Sequence, residues 1–123
     1  MELCKKHLDT DAIAVVDPSL LMSRKFYENI IEKEQARQSD GNLLIYMISK
    51  SEVAGAVRNK IIQDLSCVSF SVGRTEVDQV YPPVSEWLRG FKDAEYVFTD
   101  SFHGCAFSSL IILLTRFQSI GLF

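Results

Sequence analysis

The sequence has few cysteines, and none of them is paired at metal-binding spacing. Its 123 residues include three cysteines, at positions 4, 67 and 105, and no Cys-x-x-Cys element occurs. An odd number of cysteines without that spacing argues against a disulfide scaffold and against a zinc finger. We therefore expect reduced thiols in a cytoplasmic protein and no metal site.

Long apolar runs and a basic excess are lacking as well. Apolar runs such as "LIILL" fall far below the roughly 20 residues that a membrane span requires, and the N-terminal "MELCKKHLDTD" lacks the apolar core of a signal peptide. A net charge of -3 and a pI near 5.3 argue against nucleic acid as the main partner. Neither G-x-G-x-x-G nor a P-loop occurs, so NAD and ATP have no support. These absences predict a soluble protein without a membrane span, a nucleic-acid partner or a cofactor.

The apolar patterns that are present predict an α/β fold. Four segments read as strands: "IAVVD" (13–17), "NLLIYMIS" (42–49), "CVSFSV" (67–72) and "EYVF" (95–98). Between these segments, apolar residues recur at helical spacing over residues 23–40, 50–64 and 84–91. The segment 104–114 is apolar enough to be a buried helix. Strands alternating with helices indicate a parallel sheet with helices on both faces, a Rossmann-like layer. We predict one such domain over residues 1–123.

Several details of that fold are predicted more closely. Residues 43–48 and 96–98 are expected to be interior strands, and "FQSIGLF" (117–123) a last strand. Ser23 is the predicted N-cap of the first long helix, and an Asp-Gly turn at 40–41 closes that segment. Ser49 and Glu52 have capping-box spacing for the next helix. Residues 73–83 are predicted to form the one long loop.

The stretch "VFTDSFHGCAF" (97–107) places a polar turn between a strand and a helix. Ligands of open α/β sheets bind at the carboxyl ends of the strands, and the first amides of a helix attract anions. Asp100 or Ser101 can cap the helix, Gly104 would let a ligand approach the backbone, and His103 can donate a hydrogen bond or a proton. The turn is thus a candidate phosphate or carboxylate site. The residues alone leave open that it only caps a helix and that His103 is structural.

Two segments resemble the polysaccharide pyruvyl transferase family. "EWLRGFKDAEYVFTDSFHGCAFS" is similar to a Glu-Trp-Leu helix followed by a strand and a Thr-Asp-Ser-Phe-His-Gly turn, and "VVDPSLLMSRKFY" to an upstream Asp-Pro-Thr-Leu-Leu segment. The likeness covers most of the chain, and residues 99–104 are its specific part. It implies a GT-B-like fold of two Rossmann-like halves. This chain would be part of the C-terminal half, a fragment of a longer two-domain protein.

The resemblance also implies a reaction and a site. Family members transfer a pyruvyl group from phosphoenolpyruvate to a pair of sugar hydroxyls, forming a ketal in cell-surface polysaccharide synthesis. His103 would be the general acid or a phosphate contact, with Asp100 orienting it. Some members have Arg two places before the His, where this chain has Ser101, so Arg74 is expected to supply the cation. The implied site consists of His103 and Asp100 as catalytic residues and of Thr99, Ser101, Gly104 and Arg74 as substrate-binding residues.

Two other functions are compatible with the sequence. One is a GT-B glycosyltransferase half that binds a nucleotide-sugar, because fold does not determine function. The other is a non-catalytic α/β module that associates with another copy. A homo-oligomer is expected because the apolar run from Leu110 has little chain after it to cover it. A GT-B cleft needs both halves, so activity of this chain alone is not predicted.

Overall fold

The structure is a computed structural model that describes residues 2–49, 51–73 and 81–112. Its helices and strands are, in chain order, α1 (Glu2–Leu8), a 3-10 helix (Pro18–Leu20), α2 (Arg24–Lys33), β1 (Leu43–Tyr46), α3 (Glu52–Leu65), β2 (Ser69–Phe70), α4 (Val84–Asp93), β3 (Tyr96–Thr99) and α5 (Phe102–Ile112). The predicted α/β class is confirmed. Arg74 and the predicted last strand lie outside the described residues.

The three strands form a parallel sheet in the order β2-β1-β3. Leu43 of β1 pairs with Ser69 on one side and with Tyr96 on the other. The chain crosses from β1 to β2 in one direction and from β2 to β3 in the other. Right-handed crossovers in opposite directions place α3 and α4 on opposite faces of the sheet.

The larger part of the core lies on the face covered by α2, α4 and α5. Its buried side chains come from all three helices, from β1 and from the residue that follows α4: Tyr27, Ile31, Leu44, Leu88, Phe91, Ala94, Phe107 and Ile111. Trp87 joins α4 to α5 through an edge-to-face contact with Phe107, with ring centroids 4.9 Å apart. Aromatic pairs in this geometry stabilise a core beyond the area that they bury. This face therefore anchors α5 firmly against the sheet.

Helix α3 covers the opposite face, where the core is thinner. Leu43, Cys67 and Phe98 are buried there beneath partly buried side chains of α3, including Val57 and Ile61. Leu43 and Leu44 face opposite sides because successive strand side chains alternate. Helices on both faces of the sheet were predicted and are confirmed.

The strand predicted at residues 13–17 is absent. Ile13 and Val15 are 87% and 84% exposed, and Asp17 is the N-cap of the 3-10 helix. A β-rich apolar sequence forms a strand only where a neighbouring strand supplies its hydrogen bonds, and no strand in the described part of the chain pairs with it. The strand prediction for these residues was wrong.

Three further predictions concern the position of one strand in the sheet and the ends of two helices. Among the described strands β3 pairs with β1 alone. The strand predicted at residues 117–123 lies outside the described residues, so an interior position for β3 stays a prediction. Helix α2 begins after Ser23 as predicted but ends at Lys33, because Gln35 adopts a left-handed conformation with φ of 50°. Helix α3 is capped by Ser51, whose hydroxyl accepts the Ala54 amide at 3.4 Å, and not by Ser49.

Two glycines inside helices should respond oppositely to replacement by alanine. A Cβ at Gly55 of α3 would meet nothing within 4 Å, whereas one at Gly90 of α4 would overlap the Val72 side chain. Gly55→Ala should therefore stabilise the protein by about 0.5–1 kcal/mol through helix propensity. Gly90→Ala should destabilise it by about 1–3 kcal/mol through overpacking. Chemical denaturation of both variants checks this, and shifts in the same direction would contradict the packing described.

Candidate functional site

The 99–104 turn lies at the carboxyl edge of the sheet, between β3 and α5. The neighbouring strand β1 ends at Tyr46 and continues towards α3. Because α3 and α5 cover opposite faces, the chain leaves these adjacent strands in opposite directions. A crevice at such a reversal is where open α/β sheets bind ligands. The structure therefore places the turn at the position that the sequence indicated.

The carboxylate of Asp100 bridges this crevice. Its Oδ1 accepts the Ile48 amide at 2.7 Å, and its Oδ2 accepts the Ser49 amide at 3.0 Å and the Ser49 hydroxyl. These hydrogen bonds favour the ionised form, so the pKa of Asp100 is lowered, chiefly by the Ser49 hydroxyl and then by the two amides. Both oxygens of the predicted catalytic carboxylate hold the loop that follows β1.

The cap of α5 is Ser101, one of the two candidates that the sequence left open. Ser101 is buried, and its hydroxyl oxygen accepts the Gly104 amide at 3.3 Å. Thr99 extends the turn, because its hydroxyl oxygen accepts the Ser101 amide at 3.0 Å. Two predicted substrate-binding residues thus form the hydrogen bonds that shape the turn.

Gly104 is a packing position in this structure. A Cβ there would overlap the Thr99 hydroxyl oxygen and lie 2.9 Å from the Thr99 Cβ. Glycine thus lets the first turn of α5 pack against the end of β3. The space beside its Cα, which the sequence assigned to a ligand, is occupied by the Thr99 side chain.

His103 lies in the first turn of α5, with 54% of its side chain exposed. Its Nε2 is 3.7 Å from Oδ2 of Asp17. The pKa of Asp17 is lowered, mainly by hydrogen bonds from the Ser19 hydroxyl and amide and to a lesser extent by His103. Asp17 was not predicted as a site residue, although "VVDPSLLMSRKFY" carried part of the family resemblance. The two segments that carry the resemblance therefore meet in the fold.

Not every predicted site residue is brought together. Within the described ranges, no hydrogen bond or ion pair joins Asp100 to His103. Arg74 lies outside those ranges, so its place in the site stays a prediction.

A groove of about 390 Å³ lies on the α3 side of the same edge. Its lining combines apolar residues of the sheet with polar residues near the start of α3: Ile45, Met47, Ser49, Ser51, Glu52, Ala54, Gly55, Arg58 and Phe98. An apolar lining with a few polar groups, at this size, is typical of small-molecule sites. Sequence reasoning missed the groove because three separate elements contribute to it.

Comparisons with known proteins leave the family undetermined. No protein-family model, curated protein or solved structure gave a significant match to this chain. None of the helices in residues 2–49, 51–73 and 81–112 is long and apolar enough to cross a membrane. Function must therefore be inferred from the residues and their geometry.

Replacing Asp100 by asparagine tests the bridge. Asp100→Asn leaves one oxygen in place of two. We expect a loss of about 1 kcal/mol in the free energy of unfolding at pH 7, which is below the roughly 1.5–3 kcal/mol of hydrogen bonds to a charged group because the site is exposed. A folded-state pKa below the unfolded value of about 3.9 contributes stability above that pH. The contribution is lost as the pH falls through the lower, folded-state pKa. The two proteins should therefore converge in stability at acid pH.

Urea denaturation at pH 7 and pH 3 measures both effects. Asp40→Asn is the matched control, because Asp40 is an exposed carboxylate that pairs with the surface residue Arg37 at 3.1 Å. A loss at Asp100 no larger than the loss at Asp40, or a loss that is unchanged at pH 3, would contradict the bridging role.

Proposed function

We propose that this chain is a polysaccharide pyruvyl transferase-like domain that binds phosphoenolpyruvate at the carboxyl edge of its sheet. The observation that carries the proposal is the position of His103. Thr99, Asp100, Ser101 and Gly104 are engaged in shaping the turn, whereas the His103 imidazole is more than half exposed at the start of α5. A proton donor at this position suits a reaction on an anionic substrate.

The local electrostatics support an anionic ligand. Phosphoenolpyruvate carries a phosphate and a carboxylate, and a helix N-terminus stabilises negative charge through its amides and dipole. The amides of Ser101 and Gly104 are already engaged within the turn. A bound anion would therefore take the amides of Phe102 and His103, beside the imidazole.

The proposed chemistry needs an acid at this place. The methylene carbon of phosphoenolpyruvate gains a proton as one sugar hydroxyl attacks the adjacent carbon. The first hydroxyl releases its own proton as it attacks, which replaces the proton given to the methylene carbon. The second hydroxyl then displaces phosphate and its proton leaves with the phosphate, so the products are a ketal and inorganic phosphate. A histidine can supply the proton near neutral pH, so His103 is the proposed general acid, or the phosphate contact if the proton comes from elsewhere. Arg74 remains the predicted cation.

The architecture is compatible with one half of a GT-B enzyme. A parallel sheet with helices on both faces and a ligand site at its carboxyl edge is what such a half requires. We propose the GT-B relationship on this ground and on the resemblance, with residues 1–123 forming part of the C-terminal half.

The groove beside α3 favours a second candidate function. Its apolar floor, formed in part by Met47 and Phe98, and its polar rim suit the base and ribose of a nucleotide. A GT-B glycosyltransferase half would use such a groove for a nucleotide-sugar. In that case UDP, and not phosphoenolpyruvate, would stabilise the protein.

The homo-oligomer stays a prediction. Leu110 and Ile111 pack within the core of their own chain, and residues 113–123 lie outside the described part of the chain. The proposed interface between copies includes part of residues 110–123.

Replacing His103 by alanine separates a functional histidine from a structural one. Because its side chain is exposed, His103→Ala should leave the ligand-free Tm nearly unchanged. The rise in Tm on adding phosphoenolpyruvate should be lost. In the wild type, ligand at 100 times its Kd raises the free energy of unfolding by about 2.7 kcal/mol. Thermal unfolding with and without phosphoenolpyruvate, and with UDP in parallel, measures this.

His7→Ala is the matched control, because His7 is the other histidine of the chain and is exposed on α1. It should keep the full phosphoenolpyruvate effect. A large drop in the ligand-free Tm of His103→Ala with the ligand effect intact would overturn the proposed function. Stabilisation of both variants by UDP alone would favour the glycosyltransferase half.

A further inference from the structure

We propose that Asp17 is a positioning residue for His103 and orients its imidazole so that Nδ1 is the nitrogen presented to substrate. The inference rests on the proposed function for the identity of that substrate. The pairing itself follows from the geometry, in which Nε2 of His103 lies 3.7 Å from Oδ2 of Asp17. The two nitrogens of an imidazole differ in role according to what each one faces.

The carboxylate of Asp17 is held in one orientation. Its Oδ1 accepts both the Ser19 amide, at 2.9 Å, and the Ser19 hydroxyl, at 2.5 Å. Oδ1 therefore performs the capping of the 3-10 helix by itself. Oδ2 faces His103 and takes no part in the cap.

The 3-10 helix is in turn tied to the helix that carries His103. The Tyr27 hydroxyl donates to the Ser19 carbonyl at 2.7 Å. The buried Tyr27 ring packs edge-to-face on Phe107, with centroids 5.0 Å apart. Phe107 lies one turn after His103 on α5, so a closed path of contacts sets the separation of Asp17 from His103.

A purely structural Asp17 is the competing explanation, and Ser19 offers the matched control. Ser19→Ala removes one hydrogen bond of the cap and keeps the carboxylate beside His103. Asp17→Asn removes the charge that faces the imidazole. The structural explanation predicts similar effects of both variants, whereas positioning predicts that Asp17→Asn alone affects the histidine and its ligand.

The pairing is tested first, without any ligand, by NMR titration of the Asp17 carboxyl group in the wild type and in His103→Gln. The expected result is a higher pKa of Asp17 in His103→Gln, because His103 is one of the groups that lower it. His7→Gln should leave the titration of Asp17 unchanged. An Asp17 titration that is the same in the wild type and in His103→Gln would overturn the inference, and this test needs no variant at Asp17.

The functional consequence is tested with phosphoenolpyruvate as the ligand. Asp17→Asn should weaken its binding by about tenfold, within the coupling range for two side chains in contact, and Asp17→Glu should restore part of the loss. In the His103→Gln background, Asp17→Asn should have no further effect. Equal weakening by Ser19→Ala, or an equal effect of Asp17→Asn in both backgrounds, would show that Asp17 only caps the 3-10 helix.

The two proposals fail in different ways. Absence of any phosphoenolpyruvate binding to the wild type would defeat the proposed function, while the Asp17 titration would still decide the pairing. Binding that depends on His103 but not on Asp17 would leave the proposed function standing and overturn the inference.

Discussion

The geometry of the site depends on the hydrogen bonds that the Asp100 carboxylate accepts from Ile48 and Ser49. The turn after β3 and the loop after β1 belong to helices on opposite faces of the sheet, so the chain diverges where a ligand would bind. Asp100 joins these two segments through residues 51 and 52 positions away in sequence. Ser49, one of the hydrogen-bond partners of Asp100, also lines the groove beside α3. Asp100 itself lies two residues before α5, which carries His103. One side chain thus relates both candidate binding surfaces to each other.

The parts of the fold that local sequence determines were predicted well. Helix α4 follows from apolar periodicity and strands β1 and β3 from short apolar runs. Ser23 caps α2, because an N-cap needs only neighbouring residues. Residues 13–17 have an equally strong strand pattern and form none. A strand forms only where another strand offers a free edge for pairing, and the local sequence does not show whether such an edge is present.

The site shows the same division. Sequence located the turn and offered Ser101 as a cap, since both are local features. The resemblance implied a catalytic role for Asp100, and the sequence suggested that Gly104 lets a ligand approach. The hydrogen bonds of Asp100 to Ser49 and the packing of Thr99 against Gly104 are visible only after folding, and the catalytic role of Asp100 stays a prediction. Asp17 was overlooked because 86 positions separate it from His103. Non-local contacts, not residue types, decide which members of the turn remain available for chemistry.

Amide hydrogen exchange at Ile48 and Ser49 tests the central claim most directly, because it observes the bridge itself. If the Asp100 carboxylate holds both amides, they should exchange slowly in the wild type although they lie in an exposed loop. They should exchange quickly in Asp100→Ala, which removes both acceptor oxygens, with the amides of β1 protected in both proteins. Rapid exchange at both amides in the wild type, with β1 protected, would contradict the account.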